Sequence, residues 1–231
     1  MDYILSGLIQ AFELLFCGSP ETYSAVKTTV LTSSLSVGAS MAIGSPLGFY
    51  LGYTRFPGAR PIRLVVDTLL SLPTVVIGLL CYAFMSHRGP LGDLGLLFTI
   101  PGMAMGQTLL GLPIVVALTA NAVENLDHRL KNTLLTLGAE PHQLLLTSLW
   151  EARFALALAG AAAYGRIVSE VGISMMIGGN IKWHTRTITT AIALETGKGQ
   201  FAVGIALGLI LITLALLVNL AMSGLKRLSG Q

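Results

Sequence analysis

Charge is scarce in this sequence. Asp, Glu, Lys and Arg make up 11% of its 231 residues, against about a quarter in a water-soluble domain, and this excludes a soluble globule. Long Ser-, Pro- or Gln-rich tracts are missing, which excludes a disordered chain. Cysteine is limited to Cys17 and Cys81, both in apolar runs remote from any His or acidic cluster, so neither a disulfide framework nor a metal site can be read from them. A phosphate-binding loop is lacking too: the single Gly-Lys pair, Gly197-Lys198, is followed by Gly199 and has Ile192 where the first glycine would stand. The four histidines, His87, His128, His142 and His184, are scattered without metalloprotease spacing, and no serine lies in a nucleophile elbow. The chain therefore reads as no enzyme by itself, and no resident cofactor is expected in it. Its net charge of +3 is too small and too dispersed for a nucleic-acid surface. The first seventeen residues carry Asp2 and Glu13 and lack a basic leader, so they read as a short first helix rather than a secretory signal.

What the chain has in abundance is apolar length. Hydrophobic residues reach 53% and mean hydropathy is +0.75. A membrane-spanning helix needs about 20 such residues. Thr28 to Thr54 is free of ionisable groups and ends in Arg55-Phe56-Pro57-Gly58-Ala59-Arg60-Pro61, a turn of helix breakers and cations. Thr68 to Ser86 follows, interrupted at Leu72-Pro73-Thr74 and closed by His87-Arg88-Gly89-Pro90. Leu94 to Val123 exceeds one span and contains Pro101, Gly102 and Pro113, so part of it is expected to lead into the helix as a loop or re-entrant piece. Phe154 to Ile177 is apolar apart from Arg166 and Glu170, and Phe201 to Leu225 is a clean last span before Lys226-Arg227. The expected fold is an all-α polytopic bundle of about six transmembrane helices, counting the short first one, in a single domain over 1–231.

Cations collect in cytoplasmic loops. Placing the Arg55–Arg63 turn, the Arg129–Arg153 segment and the C-terminal tail inside gathers eight cations there against five outside, which puts both termini in the cytoplasm of a plasma-membrane protein. Lys182, Arg186 and Lys198 still crowd the outer loop, residues 178–200. Small residues four apart, Gly44/Gly48, Gly48/Gly52, Gly102/Gly106 and Gly204/Gly208, predict close helix contacts.

Between Glu124 and Arg153 acids, bases and amides return among leucines at helical spacing. Asn132-Thr133-Leu134-Leu135-Thr136-Leu137-Gly138-Ala139-Glu140-Pro141-His142 reads as helix, turn, helix. Gly138 suits the positive φ of a helix end, and Pro141 suits a first helical turn, where its missing N–H costs nothing. Leu134, Leu137, Leu144, Leu145 and Leu149 would form an apolar ridge on a cytoplasmic hairpin, fit for a partner's groove.

This segment resembles the EAA coupling loop of the permease subunits of ATP-binding cassette (ABC) importers. Leu137-Gly138-Ala139 with Pro141 carries the likeness. Asn132-Thr133-Leu134 stands where the family has Glu-Ala-Ala, and Trp150-Glu151 where a Leu-Pro closes the loop. Leu72-Pro73-Thr74-Val75-Val76-Ile77-Gly78-Leu79, Gly89-Pro90-Leu91-Gly92, Ser169-Glu170-Val171-Gly172 and Gly178-Gly179-Asn180-Ile181 are similar to the molybdate and tungstate branch. Trp150-Glu151-Ala152-Arg153-Phe154 and Thr185-Arg186-Thr187-Ile188-Thr189-Thr190-Ala191-Ile192 resemble its tungstate-specific members. The likeness implies a permease that pairs with a second copy of itself and docks two ATPase subunits, which bind ATP and Mg, through Asn132, Thr133, Leu134, Leu137, Gly138, Ala139, Pro141 and His142. It implies tungstate delivered by an extracytoplasmic oxyanion-binding protein.

Independently of that likeness, Asn180, Lys182, His184, Thr185, Arg186, Thr187, Thr189 and Thr190 concentrate donors and cations that suit an oxyanion vestibule; solvation, or contact with a partner, is the alternative use of the same residues. Arg166 and Glu170, four apart, can pair on one helix face. An ionisable group costs about 2.5–3.5 kcal/mol at the bilayer centre, so the two are expected to pair structurally or to face a gate or pathway. Pro73 bends its span, and with Thr74 joins that set of candidate pathway residues. Molybdate or sulfate is the alternative substrate, and an ion-coupled secondary transporter the alternative class, although no inverted repeat of paired broken helices is evident.

Overall fold

The computed structural model describes residues 9, 19–54, 56–126, 136, 138 and 140–228, without the side chains of 141, 142, 145, 221–223 and 225–228. Among the described residues there are eight α-helices: α1 (Pro20–Tyr53), α2 (Ala59–Leu70), α3 (Thr74–Met85), α4 (Ile100–Glu124), α5 (Pro141–Val168), α6 (Gly172–Gly178), α7 (Ile188–Gly197) and α8 (Phe201–Leu228), with a 3₁₀ turn at Gly92–Leu94. Helices α1, α4 and α8 are each long and apolar enough to cross a membrane; α2 with α3, bent by 98°, and α5 with α6, bent by 64°, raise the number to five if each pair is one broken span. These five correspond to the spans expected from Thr28 onward. Apart from Ile9, which is helical and exposed, the expected first helix lies outside the described residues.

Several boundaries differ from the sequence reading. The chain bends at Ser71–Pro73 as Pro73 requires, since the residue before a proline is pushed out of helical geometry. The first half of that span, however, extends back to Ala59, through Arg60 and Arg63. Helix α4 starts at Ile100, after the loop piece expected ahead of it, and the Thr99 side chain accepts the Gly102 N–H at 3.1 Å. Helix α5 runs unbroken from Pro141 to Val168, joining the second arm of the expected hairpin to the next span. Loop 178–200 contains α7.

Helix α4 is the hub, packing against α1, α2, α3, α5 and α6. Helix α1 buries one stripe at steps of three and four, with Ala25 and Thr29 against α7 and the residues from Ser36 on against α4: Thr22, Ala25, Thr29, Thr32, Ser36, Ser40, Gly44 and Gly48 are buried, while Leu31, Leu35, Ile43, Leu47 and Tyr50 are exposed. The helix is thus small and polar inward and apolar outward, as lipid surroundings allow. Thr29 and Thr32 return their hydroxyl protons to carbonyls four residues back at 2.8 and 2.7 Å. At the other end glycines bring the backbones together: a methyl group on Gly48 would stand 2.6 Å from the Val116 carbonyl oxygen, and on Gly52 2.5 Å from that of Ala120. Gly204 likewise abuts Thr196, whereas Gly208 faces open space.

An apolar core of Ile77, Cys81, Met85, Met103, Leu110, Ile173 and Ile177 joins α3, α4 and α6. Arg63 of α2 forks onto Glu124 at the end of α4, at 2.5 and 2.7 Å. Beneath the α2–α3 bend an apolar cleft of about 530 Å³ opens, with Tyr50, Phe56, Leu69 and Pro113 among its walls.

Candidate functional site: two helix breaks and the loop beyond them

The α5–α6 break places Glu170 in the interior. It is 3% exposed, with one carboxylate oxygen accepting the Ile173 N–H at 3.1 Å and the other meeting Arg166 at 3.2 Å. A buried carboxylate needs such partners, and the i,i+4 spacing supplies Arg166, whose side chain remains 44% exposed. The α2–α3 break lies against the same spot. A methyl group on Gly172 would be 3.2 Å from Glu170 Oε1 and 3.3 Å from the Thr74 hydroxyl. Thr74 is the first residue of α3 and Pro73 its N-cap, so Pro73, Thr74, Arg166 and Glu170 gather where two broken helices begin.

A polar bridge crosses the bundle nearby. The Ser36 hydroxyl donates to Gln107 Oε1 and Gln107 Nε2 donates to Ser174 Oγ, both at 3.0 Å, linking α1, α4 and α6. Gln107 is 2% exposed. The sequence reading missed this bridge. An amide in an otherwise charge-free span was its one visible signal.

The loop leading from α6 to α7 is tightly tied. Gly179, Asn180 and Trp183 have φ of 66°, 52° and 68°. The Thr185 hydroxyl donates to the Gly178 carbonyl and accepts the Ile181 N–H, and the N–H groups of His184, Thr185 and Arg186 converge on the Ile181 carbonyl at 3.0–3.2 Å. Arg186 Nε donates to Asn180 Oδ1 at 3.1 Å. Glu21, in the first turn of α1, takes Arg186 on one oxygen and Lys182, at 2.6 Å, on the other. Thr187 caps α7 reciprocally with Thr190, and Thr189 donates to the Glu170 carbonyl at 2.9 Å, joining the loop to the helix break.

The cations that crowd this loop thus have carboxylate partners, Lys198 pairing with Glu195 at 2.8 Å. Asn180, Thr185 and Thr187 are engaged in holding the loop, and Arg186 is held between Asn180 and Glu21 rather than projecting free. Glu21 was missed: it is 165 positions from Arg186, and only its place in a first helical turn marked it.

Of the expected coupling residues, Asn132, Thr133, Leu134, Leu137 and Ala139 lie outside the described residues, as does the side chain of His142. Gly138 has φ 76°. Pro141 opens α5, where the Glu140 N–H is taken by the Gln143 side chain at 2.9 Å.

Residues 44–228 match the family model for the binding-protein-dependent transport system inner membrane component. The tungstate uptake system permease protein of Campylobacter jejuni is 52% identical over 98% of this chain and 95% of its own length. The corresponding protein of Peptoclostridium acidaminophilum is 35% identical over 98% and 99%. Among solved structures, the inward-facing MetNI methionine ABC transporter superposes with a TM-score of 0.73 over 91% of this chain and 98% of the matched chain, at 21% identity.

Proposed function

Because the chain belongs to the inner-membrane components of binding-protein-dependent transport systems, the permeases of ABC transporters, we propose that it is the membrane subunit of a tungstate importer. The observation that carries the substrate is likeness over essentially the whole length to two tungstate-system permeases. Family membership implies a multi-pass inner-membrane position, with an ATPase and an extracytoplasmic binding protein as partners.

In this reading two copies of the chain enclose the pathway and two ATPase subunits dock at the segment that holds Asn132, Thr133, Leu134, Leu137, Gly138, Ala139, Pro141 and His142, with both termini on that cytoplasmic side. ATP and Mg reside in the ATPases. Helix α5 gives the docking end a rigid connection to the centre: its 28 residues span about 42 Å at 1.5 Å each and end at the break that holds Glu170. Closure of the ATPases then swings α5, and the Glu170–Ile173 bond obliges α6 to follow, while the Gln107–Ser174 bond passes the movement of α6 on to α4. Arg166, Pro73 and Thr74 line the pathway at the two breaks. Arg166 supplies positive charge for an oxyanion, and Glu170 holds its guanidinium in place. Asn180, Thr185, Arg186 and Thr187 shape the outer mouth.

The test is metal accumulation by mass spectrometry in cells with and without the gene, at nanomolar tungstate and molybdate offered separately and together. Loss of tungsten uptake alone is the expected outcome. Equal loss of both metals would widen the substrate to group-six oxyanions, and loss of neither would reject the oxyanion assignment.

A further inference from the structure

The loop ending at Arg186 holds its most conspicuous side chain outward at a conformational cost. Trp183 is 56% exposed and Ile181 42%, with Lys182 and His184 exposed between and after them. A left-handed backbone costs a non-glycine residue about 1–2 kcal/mol, and two such residues, Asn180 and Trp183, stand within four positions. Such strain persists only where the surroundings over-determine it. Here they do, through the Thr185 hydroxyl, the three N–H groups on the Ile181 carbonyl, and the Glu21 carboxylate gripping the loop from α1. Lys182 Nζ also stands 5.4 Å from the centre of the Trp183 ring. An aromatic ring carried open on a braced backbone brings little loop entropy to be lost on contact, which is the property of an interface anchor.

Position selects the occupant. Helix α5 starts at the docking segment, and this loop lies past its opposite end, so the two surfaces face opposite sides of the membrane. We propose that Trp183 is the anchor on which the extracytoplasmic binding protein docks, inserting into an apolar depression of that protein. A tryptophan resting in lipid headgroups needs no particular backbone geometry, and the braced, left-handed loop therefore favours a protein surface. The inference rests on the importer reading above.

The experiment uses the intact permease–ATPase complex in lipid nanodiscs and its purified, tungstate-loaded binding protein, with affinity measured directly. Trp183→Asn, whose side chain tolerates left-handed backbone, removes the ring without altering the loop; Trp183→Phe keeps an aromatic. The expected result is at least a tenfold loss of affinity for Trp183→Asn and less than a threefold loss for Trp183→Phe, with the ATPase rate in the absence of binding protein unchanged. Affinity within twofold of wild type in Trp183→Asn overturns the inference. So does quenching of Trp183 fluorescence by brominated lipid in a Trp150→Phe background, which would place the ring in the membrane, and so does a change in subunit number in Trp183→Asn, which would place it between copies of the chain. A wild-type complex that binds no binding protein overturns the importer reading, and this inference falls with it.

Discussion

Gly48 and Gly208 separate two uses of the same residue. At Gly48 the helices approach so closely that a methyl group would press on the Val116 carbonyl and on Thr119, and relieving that contact means moving α1 away from the hub helix. Gly48→Ala is expected to destabilise by about 1–3 kcal/mol, read as a lower midpoint of thermal unfolding in detergent. Gly208→Ala, facing open space, is expected to be neutral or to stabilise by up to about 1 kcal/mol through helix propensity; equal effects of the two would remove close packing as the reason for Gly48. Glu170 obeys a different rule, because its carboxylate serves both the Ile173 N–H and Arg166. Glu170→Ala leaves a buried N–H without its acceptor and is expected to cost about 1–3 kcal/mol. Glu170→Gln keeps an amide oxygen for Ile173 and should recover at least half of that loss. If Gln is as harmful as Ala in the same unfolding measurement, the charge and not the capping bond is what the site requires.

Loops and helix ends set how the elements move together. Glu21 is shared between Lys182 and Arg186, and with a side chain 38% exposed it sits in the range where each pair contributes about 0.2–1 kcal/mol. Glu21→Gln is accordingly expected to leave the unfolding midpoint within a few degrees of wild type while hydrogen exchange of the 181–186 amides speeds up several-fold, because local opening needs far less free energy than global unfolding. Unchanged exchange would show that the backbone bonds alone hold the loop. The breaks between helices were legible only in part: the one at Ser169–Val171 falls inside a run that reads as a single span from Phe154 to Ile177. Pro73 announces one, and Gly138 has the left-handed φ that a helix terminus asks of glycine. The continuity of α5 was not legible, since the polar residues before Arg153 look like a separate surface helix while backbone bonding runs straight through them.

For the assembled transporter the reading requires a fixed composition. Native mass spectrometry of the detergent-solubilised complex is expected to give two copies of this chain with two ATPase subunits, and Gly138→Val, which forces a β-branched residue into φ 76°, is expected to lower the ATPase recovered per permease severalfold while the permease remains in the membrane. A single permease copy would dismantle the paired pathway, and full ATPase recovery in Gly138→Val would dismiss the turn as part of the docking surface. The sequence by itself determined that the chain is a membrane bundle, where its apolar runs lie and that one of them breaks at Pro73; the break after Val168, inside the run expected as one span from Phe154 to Ile177, it did not announce. Those properties are local: charge-free length, proline and glycine act within a few residues of where they stand. Tertiary structure alone decided that the two breaks meet at Gly172, that Ser36, Gln107 and Ser174 form one bridge, and that Glu21 pairs with Arg186, 165 positions away. Polar partners so far apart in the chain become neighbours only when packing against α4 turns their helix faces inward, where a buried hydroxyl, amide or carboxylate must find a hydrogen bond because lipid and apolar side chains offer none.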